Sequence, residues 1–518
     1  MVSIGRRPAD RAFPDGAFFG GVREGTVVGE DAFLQRFNQG LLHVEGARLP
    51  EAVASFRAAA AMRPEHPVVW FLLGVTLRTM GRAEQALAAL HAALRLRPDH
   101  PDTLFHFASV QLELLWPDRA LPALRRLVAL RPSHEGAAFA LGGALMALDA
   151  PEEAERAFLL TALLQPDGAA VNNNLGAAIM AQRRPGVALG HFRRAIRIDP
   201  SRPEHRKNLG IAQLMRGELE EGFREYEWRM GQAVWQWNRS YPGKPVWDGG
   251  PLAGRTILVH YEQGLGDSVQ FVRYLPLLKA MGARTVFECQ PVLKRLLASA
   301  PGIDALVARG ETLPDFDCCL SLMSLPYRCS TGADRIPRDI PYLRTDPERA
   351  VFWRELVYGQ ARPGDLRVGI QWRADGGNRS IPLECFEALS QVPGARLFSL
   401  QQATGLDELE RLGERFGIID LPGRRAGAEG FLDTAALAEC MDLVVACDSV
   451  VGHVAGALGK PVFLALPWLG DWRWMNHPDR TPWYPAHRLF RMARRNDWHG
   501  VMARVAEAVA EKVHRARS

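Results

Sequence analysis

Long apolar runs are missing from this chain. No segment of the 518 residues holds the roughly 18 uninterrupted apolar residues that a membrane helix needs. The start of the chain, Met1 to Glu30, carries Arg6, Arg7 and Arg11 but no apolar stretch of the kind that makes a signal peptide. Both absences lead to the expectation of a cytoplasmic protein with no transmembrane segment. Cysteine is absent from the first half. The seven in the second half, Cys289, Cys318, Cys319, Cys329, Cys385, Cys440 and Cys447, are odd in number and form no Cys-x-x-Cys pair. That pattern fits reduced core thiols and argues against a disulfide framework or a zinc site. Blocks of Lys and Arg interleaved with aromatics are also lacking, and a formal charge of +5 is slight for this length. Nucleic acid is therefore not an expected partner.

The remaining composition is that of folded protein, 47% hydrophobic and 23% charged. The length exceeds what one compact core accommodates, so two or three domains are expected.

The first half is periodic. Prolines 64, 98, 132, 166 and 200 stand 34 residues apart, each after an Ala-rich apolar stretch. A fixed period of this size marks a stacked helical array. Aligned on those prolines, Ala52, Ala86, Ala120, Ala154 and Ala188 form one column, where a small side chain lets two helices of a pair approach. Phe56, Leu90, Leu124, Phe158 and Phe192 form a second, expected to fill the space between successive pairs. Gly40, Gly74, Gly142, Gly176 and Gly210 form a third, with Ala108 as its one departure, and Trp70, Leu73 and Gly74 make a W-x-x-L-G run. These columns resemble the tetratricopeptide-repeat (TPR) family, over residues 31–230, with five clear units and a degenerate sixth ending in Tyr226-Glu227-Trp228-Arg229. The resemblance implies an all-α superhelix with a concave groove for extended peptide.

One position of the first helix is Asn in units one, five and six: Asn38, Asn174 and Asn208. Asn offers a donor and an acceptor to a peptide backbone. The set resembles the asparagine ladder of O-linked N-acetylglucosamine transferases, although Leu72, His106 and Ala140 stand at the other three positions. Polar residues on a solvated face are the alternative reading.

A Trp- and Pro-rich connector (Trp235, Trp237, Pro242, Pro245, Trp247; residues 231–254) follows, read as packed rather than flexible. From Arg255 short apolar runs alternate with helical segments: Thr256–His260, Thr285–Glu288, Leu366–Trp372, Leu397–Leu400, Leu443–Ala446 and Val462–Leu466. The alternation predicts parallel β-α-β units in two groups, residues 255–345 and 367–518, joined by a polar linker at 346–366. Two Rossmann-like lobes of this kind would face a cleft suited to a nucleotide.

Three clusters lie where a strand ends and a helix begins. The first is Glu262-Gln263-Gly264-Leu265-Gly266-Asp267, whose glycines permit a tight turn and close ligand approach. Asp267 there is either reactive or a plain helix cap. The second runs from Trp372 through Arg373-Ala374-Asp375-Gly376-Gly377-Asn378-Arg379-Ser380, a polar loop able to hold a diphosphate by charge and backbone amides. The third is Asp448-Ser449-Val450-Val451-Gly452-His453, continuing to Gly459-Lys460-Pro461.

In this order the clusters resemble the GT-B glycosyltransferases of the lipopolysaccharide heptosyltransferase type (family 9). The whole chain looks like bacterial TPR proteins carrying such a domain, relatives also of the O-linked N-acetylglucosamine transferases. The carrying residues are Gly266-Asp267 followed by Pro276, the run Asp448 to Pro461, and the late motifs Asp471-Trp472-Arg473-Trp474 and Pro482-Trp483-Tyr484-Pro485. The resemblance implies a nucleotide-sugar donor, a protein acceptor such as flagellin in the TPR groove, and no metal or other cofactor. It makes Asp267 the general base. It places the donor against Gln263, Gly264, Gly266, Trp372, Arg379, Ser380, Gln401, Asp448, Ser449, Gly452 and His453. Arg379, Ser449 and Gly452 would stabilise the leaving diphosphate, and His453 would either meet a phosphate or pack at the helix start. The chain departs from the N-acetylglucosamine enzymes near Leu400-Gln401-Gln402-Ala403, where no Lys stands. The donor sugar is thus left open. A non-catalytic scaffold and a surface-saccharide transferase are the competing readings.

Some features take a plainer reading. Asp315-Phe316-Asp317 has the D-x-D form of a metal motif but precedes a buried-looking run. The tryptophans from Trp468 to Trp483 are read as core, with stacking on a nucleotide base as the alternative. Arg488, Arg491, Arg494 and Arg495 are read as a solvated face, the alternative being a phosphate or an acidic partner.

Overall fold

The computed structural model describes residues 28–134, 136–232, 241–421 and 431–517. Arg6, Arg7 and Arg11 of the expected N-terminal extension, and Trp235 and Trp237 of the expected connector, lie outside the described residues. By contact the chain divides into two compact units, Met1–His205 and Arg206–Ser518. The expected boundary lies later, at 230/231. The sixth helix pair thus groups largely with the α/β part.

In the first unit five helix pairs follow one another: α1 (Val28–Glu45) with α2 (Leu49–Met62), α3 (Pro67–Thr79) with α4 (Ala83–Leu96), α5 (Pro101–Glu113) with α6 (Pro117–Leu130), α7 (Ala137–Ala147) with α8 (Pro151–Leu164), and α9 (Ala169–Ala181) with α10 (Pro185–Ile198). The periodic prolines 64, 98, 132 and 166 each follow the C-cap of a second helix, where the missing N–H and fixed φ end the hydrogen-bond ladder. The whole Ala column is fully buried.

The second column packs differently from the expectation. A Cβ built on Gly40, Gly142 or Gly176 would meet the ring of Phe56, Phe158 or Phe192 at 2.5–2.7 Å, and one on Gly74 would meet Leu90 at 2.5 Å. Each large side chain therefore fills the space inside its own pair rather than between pairs, because the glycine opposite has no side chain of its own. In the third pair Ala108 and Leu124 take these places, and both are fully buried.

In the second unit α12 (Leu219–Tyr226) completes the sixth pair begun by α11 (Pro203–Arg216). Gly210 lets the backbones touch, its Cβ position lying 2.7 Å from Tyr226 N and 2.8 Å from Gly222 O. Two parallel sheets follow. The first has the order β3-β2-β1-β4, from β1 (Thr256–His260), β2 (Arg284–Cys289), β3 (Ala305–Ala308) and β4 (Cys318–Ser321). The second has the order β6-β5-β7-β8-β9, from β5 (Leu366–Gln371), β6 (Ala395–Ser399), β7 (Leu443–Cys447), β8 (Val462–Leu466) and β9 (His487–Arg491). All pairings are parallel. The near-continuous apolar character of β1 and β7 follows from burial on both faces. The C-terminal region is thus consistent with a Rossmann-like α/β architecture.

Three strands escape the pattern reading. β3 and β4 have only four residues each, and β9 falls inside the stretch read as a basic solvated face. Arg491, at the end of β9, is buried and donates to the carbonyls of Trp474, Met475 and His477. The expected linker is a helix, Pro347–Gln360, capped by Asp346 and burying Ala350, Trp353 and Val357. Its Trp353 indole donates to Asp433 at 2.8 Å.

Candidate functional site

The first and third clusters meet where the two sheets' helical layers touch. The turn after β1 leads into α13 (Leu265–Phe271), which packs on the helix Val450–Ala457 that follows β7. A Cβ on Gly266 would stand 2.8 Å from the His453 ring, so only glycine permits this approach. Gln263, in the same turn, has φ +66, a left-handed conformation that a non-glycine residue holds at some cost.

Asp267 is buried and both of its oxygens are engaged. Oδ2 accepts the Gly264 N–H at 2.8 Å, which closes the turn, and Oδ1 pairs with Arg473 from the other sheet's side. Arg473 is itself held by Asp471 at 2.7 Å and donates to Gln263 Oε1 at 3.4 Å. Burial pushes the Asp267 carboxyl up from the ordinary range and the neighbouring Asp471 adds to this, while Arg473 opposes it. Burial works against the Arg473 charge, but Asp267 and Asp471 outweigh it and hold the guanidinium charged.

Asp448 lies in the same cluster. Its Oδ1 accepts the Trp474 indole N–H at 2.8 Å, whereas the buried Oδ2 has no hydrogen-bond partner among the described residues. Burial, reinforced by Asp471, pushes its carboxyl up to about 6, against the pull of Trp474, Arg379 and Arg473. Arg473 Nε is likewise buried without a partner. The seam between the lobes therefore carries unmet polar atoms, Asp448 Oδ2 and Arg473 Nε among them, and buried polar atoms of this kind are uncommon in folded protein.

His453 packs in the core. It stacks on Trp474 at 5.0 Å between centroids, and its Nδ1 shares a 3.0 Å hydrogen bond with Tyr484 Oη. Burial, with Arg473, His487, Arg273 and Arg379 nearby, pushes its pKa well below the ordinary value, so the ring is neutral. The Trp472, Trp474 and Trp483 side chains are buried and packed on Phe223, Phe271, His453 and His487, in keeping with the core reading.

The second cluster joins the third through Gln371, whose Oε1 accepts from Ser449 Oγ at 2.7 Å. Arg379 is half-buried, donates to Asp375 O at 2.8 Å, and lies near enough for its charge to act on Asp448. Ser380 Oγ bonds both the N–H and the carbonyl of Ala374, closing the loop. Trp372 and Gln401 stand behind that loop. The Trp372 side chain is fully buried with its indole on Glu408 at 3.0 Å, and Gln401 Oε1 accepts the backbone N–H of Trp372 and Arg373. The Gly452 carbonyl accepts from His487 Nε2 at 3.2 Å.

Arg473, Asp471 and Tyr484 carry a sequence signal only as members of late motifs, and Trp474 also as one of the tryptophans read as core. Glu262 is joined to Arg229 by two hydrogen bonds of 2.8 and 2.7 Å, both side chains fully buried, a pairing with no local signature. Asp317 accepts the Thr256 N–H at 2.7 Å, bracing the start of β1. Among the described residues no three His, Cys, Asp or Glu side chains group as a metal-ligand set. A cavity of about 820 Å³ lies apart from all of these, between the beginnings of β5 and β8 and the last turns of the C-terminal helix Trp498–Arg517.

The asparagines differ from one another. Asn38 on α1 is exposed and Asn208 on α11 is half-buried. Asn174 on α9 is buried, and its Nδ2 has no partner among the described residues.

Comparison with known proteins gives a family match for the helical part. The tetratricopeptide-repeat family model matches residues 37–101, 105–174 and 173–227. The N-terminal region is a TPR array. Protein FlbA of Caulobacter vibrioides is 26% identical over 322 residues, which cover 58% of this chain and 53% of FlbA. The chain spans about half the length of that curated relative. Among solved structures, MamA from Desulfovibrio magneticus RS-1 aligns at 22% identity and a TM-score of 0.32, covering 33% of this chain and 97% of MamA. YrrB, described as a TPR protein with an unusual peptide-binding site, aligns at 22% identity and a TM-score of 0.33, covering 35% of this chain and 96% of its own. Among the described residues no helix is long and apolar enough to cross a membrane.

Proposed function

We propose that the α/β unit is a glycosyltransferase that moves a sugar from a nucleotide-sugar donor to an acceptor, and that the acceptor is a protein, flagellin-like in kind, held by the TPR groove. The observation that carries this reading is the convergence of the Asp267, Arg379 and Asp448–His453 turns on one inter-lobe seam with buried polar atoms left unmet. Asp267 takes the proton of the acceptor hydroxyl. Burial makes it a stronger base than an exposed aspartate, and each oxygen keeps a second acceptor direction. Arg379 and the backbone around Ser449 and Gly452 stabilise the departing diphosphate. Asn174, whose Nδ2 has no partner among the described residues, and Asn38 and Asn208 bind the acceptor backbone.

One observation favours a second reading, a non-catalytic TPR scaffold: both Asp267 oxygens already brace the fold. Incubating the protein with a panel of nucleotide sugars and measuring donor-dependent nucleotide release decides between them. Asp267→Asn is expected to lower release by about 100-fold or more, as removal of a general base does. If no donor shows saturable binding or release, the transferase reading fails. A folded Asp267→Asn protein that retains every cellular effect establishes the scaffold.

A further inference from the structure

The segment Tyr226-Glu227-Trp228-Arg229 ends the degenerate sixth repeat. Its side chains reach the Asp267 turn. Arg229 is fully buried and grips Glu262 with Nε and Nη2, at 2.8 and 2.7 Å. Its Nη2 also donates to Ser324 Oγ at 2.9 Å, and Nη1 to Glu227 at 2.6 Å. Ser321 donates to the same Glu262 carboxylate. Burial alone would raise the Glu262 pKa, but Arg229 outweighs it and keeps the carboxylate charged.

Glu262 lies just past the end of β1, where Tyr261 N–H still bonds Glu288 O at 2.9 Å. The next residue, Gln263, holds its positive φ with its amide on Tyr226 Oη at 3.1 Å and on Glu262 Oε1 at 3.3 Å. Gly264 follows and donates its N–H to Asp267. Three consecutive residues are thus pinned ahead of Asp267, two of them by the Tyr226–Arg229 segment. The same element touches the other partner of the Asp267 pair. Phe223 and Tyr226 pack on Trp472, at 5.7 and 5.5 Å between ring centroids, and Trp472 adjoins Arg473 in sequence and in space, the guanidinium standing 4.3 Å over its ring.

We infer that Tyr226 and Arg229 are positioning residues for Asp267: Tyr226 acts through Gln263, Arg229 acts through Glu262, and α12 sets the turn and Arg473 against each other. The inference rests on the reading of Asp267 as the reactive carboxylate, and its test has an arm that needs no activity. The second helix of the last pair, with the turn that ends it, then serves as part of the catalytic frame, while Asn208 on the first helix keeps its place in the groove.

The experiment uses the full chain and two variants. Tyr226→Phe keeps the ring on Trp472 and removes only the hydroxyl. The paired replacement Arg229→Met with Glu262→Met removes both fully buried charges together, and Glu227, 21% accessible, keeps its hydrogen bond from Ser324. Hydrogen–deuterium exchange is followed in peptides covering residues 261–268 and 471–475. Loss of one hydrogen bond is expected to speed exchange in both peptides about threefold to tenfold in Tyr226→Phe, with β5 to β8 unchanged. The paired variant is expected to show a larger increase at the same two places. With a nucleotide sugar that the wild type turns over, the loss falls on kcat while the donor KM holds. Exchange that stays within twofold of wild type in both peptides overturns the inference, as does a rise shared equally by the whole sheet. If the wild type turns over no donor, the transferase reading falls, and the exchange data still decide whether this segment sets the turn.

Discussion

Replacing Arg473 by Met tests the inter-lobe seam most directly. Arg473 and Asp267 have side chains only 9% and 11% accessible, and they come from opposite lobes. With the guanidinium gone, Asp267 keeps a single charge-stabilising partner, the Gly264 N–H, and faces Asp471 without a cation between them. Removing one member of a buried ion pair costs about 3–5 kcal/mol, because the other charge stays desolvated. The unit from Arg206 onward has about 300 residues, and its unfolding entropy scales with that number. The loss therefore corresponds to a drop of about 5–8 °C in the melting temperature of that unit. Adding Asp267→Asn removes the stranded charge and should recover a large part of the drop. Scanning calorimetry of the two single variants and the double variant gives the coupling between the residues. A drop below about 2 °C for Arg473→Met, or a double variant no more stable than additive singles, would refute the pair as the clasp between the lobes.

Two further outcomes follow from the same structure. Asp448 has a folded pKa raised to about 6, so the folded protein binds a proton there that the unfolded chain does not. Stability from this group therefore rises as pH falls from about 6 toward 4, and Asp448→Asn should flatten that rise and add on the order of 2–3 kcal/mol at pH 7.5; melting curves across this range check it. In the TPR array, Gly176→Leu should cost at least about 1–3 kcal/mol, because its Cβ alone would meet the Phe192 ring at 2.7 Å. Gly190→Ala, where a Cβ meets nothing within 4 Å, should instead gain about 0.5–1 kcal/mol by helix propensity, and chemical denaturation of the two variants separates these opposite signs.

The repeat was legible because each column has a local physical cause repeated at fixed spacing. A glycine at one place and a large side chain sixteen residues later meet in every pair for the same steric reason, and Ala108 with Leu124 shows how far the rule bends. The six strands read from apolar runs were found because strands buried on both faces are apolar throughout. β3 and β4 were too short for that signal, and β9 was hidden by its arginines. Arg491 shows why charge misleads there, since its guanidinium donates internally to three carbonyls. The polar linker turned out helical because Trp353 and Val357 form a narrow apolar stripe that an average over the segment conceals.

By itself, then, the sequence determined the period of the helical array, the alternation of strand and helix beyond Arg255, and the turns that carry Gln263 to Asp267 and Asp448 to His453. All of these depend on interactions between near neighbours, which leave a pattern in the chain. Only the tertiary structure decided that Asp267 pairs with Arg473, that Arg229 grips Glu262, and that Tyr226 holds Gln263. Partners so distant in sequence are chosen by burial and electrostatics in the folded state, where a lone charge is too costly to leave unpaired, and nothing in the local sequence announces the choice.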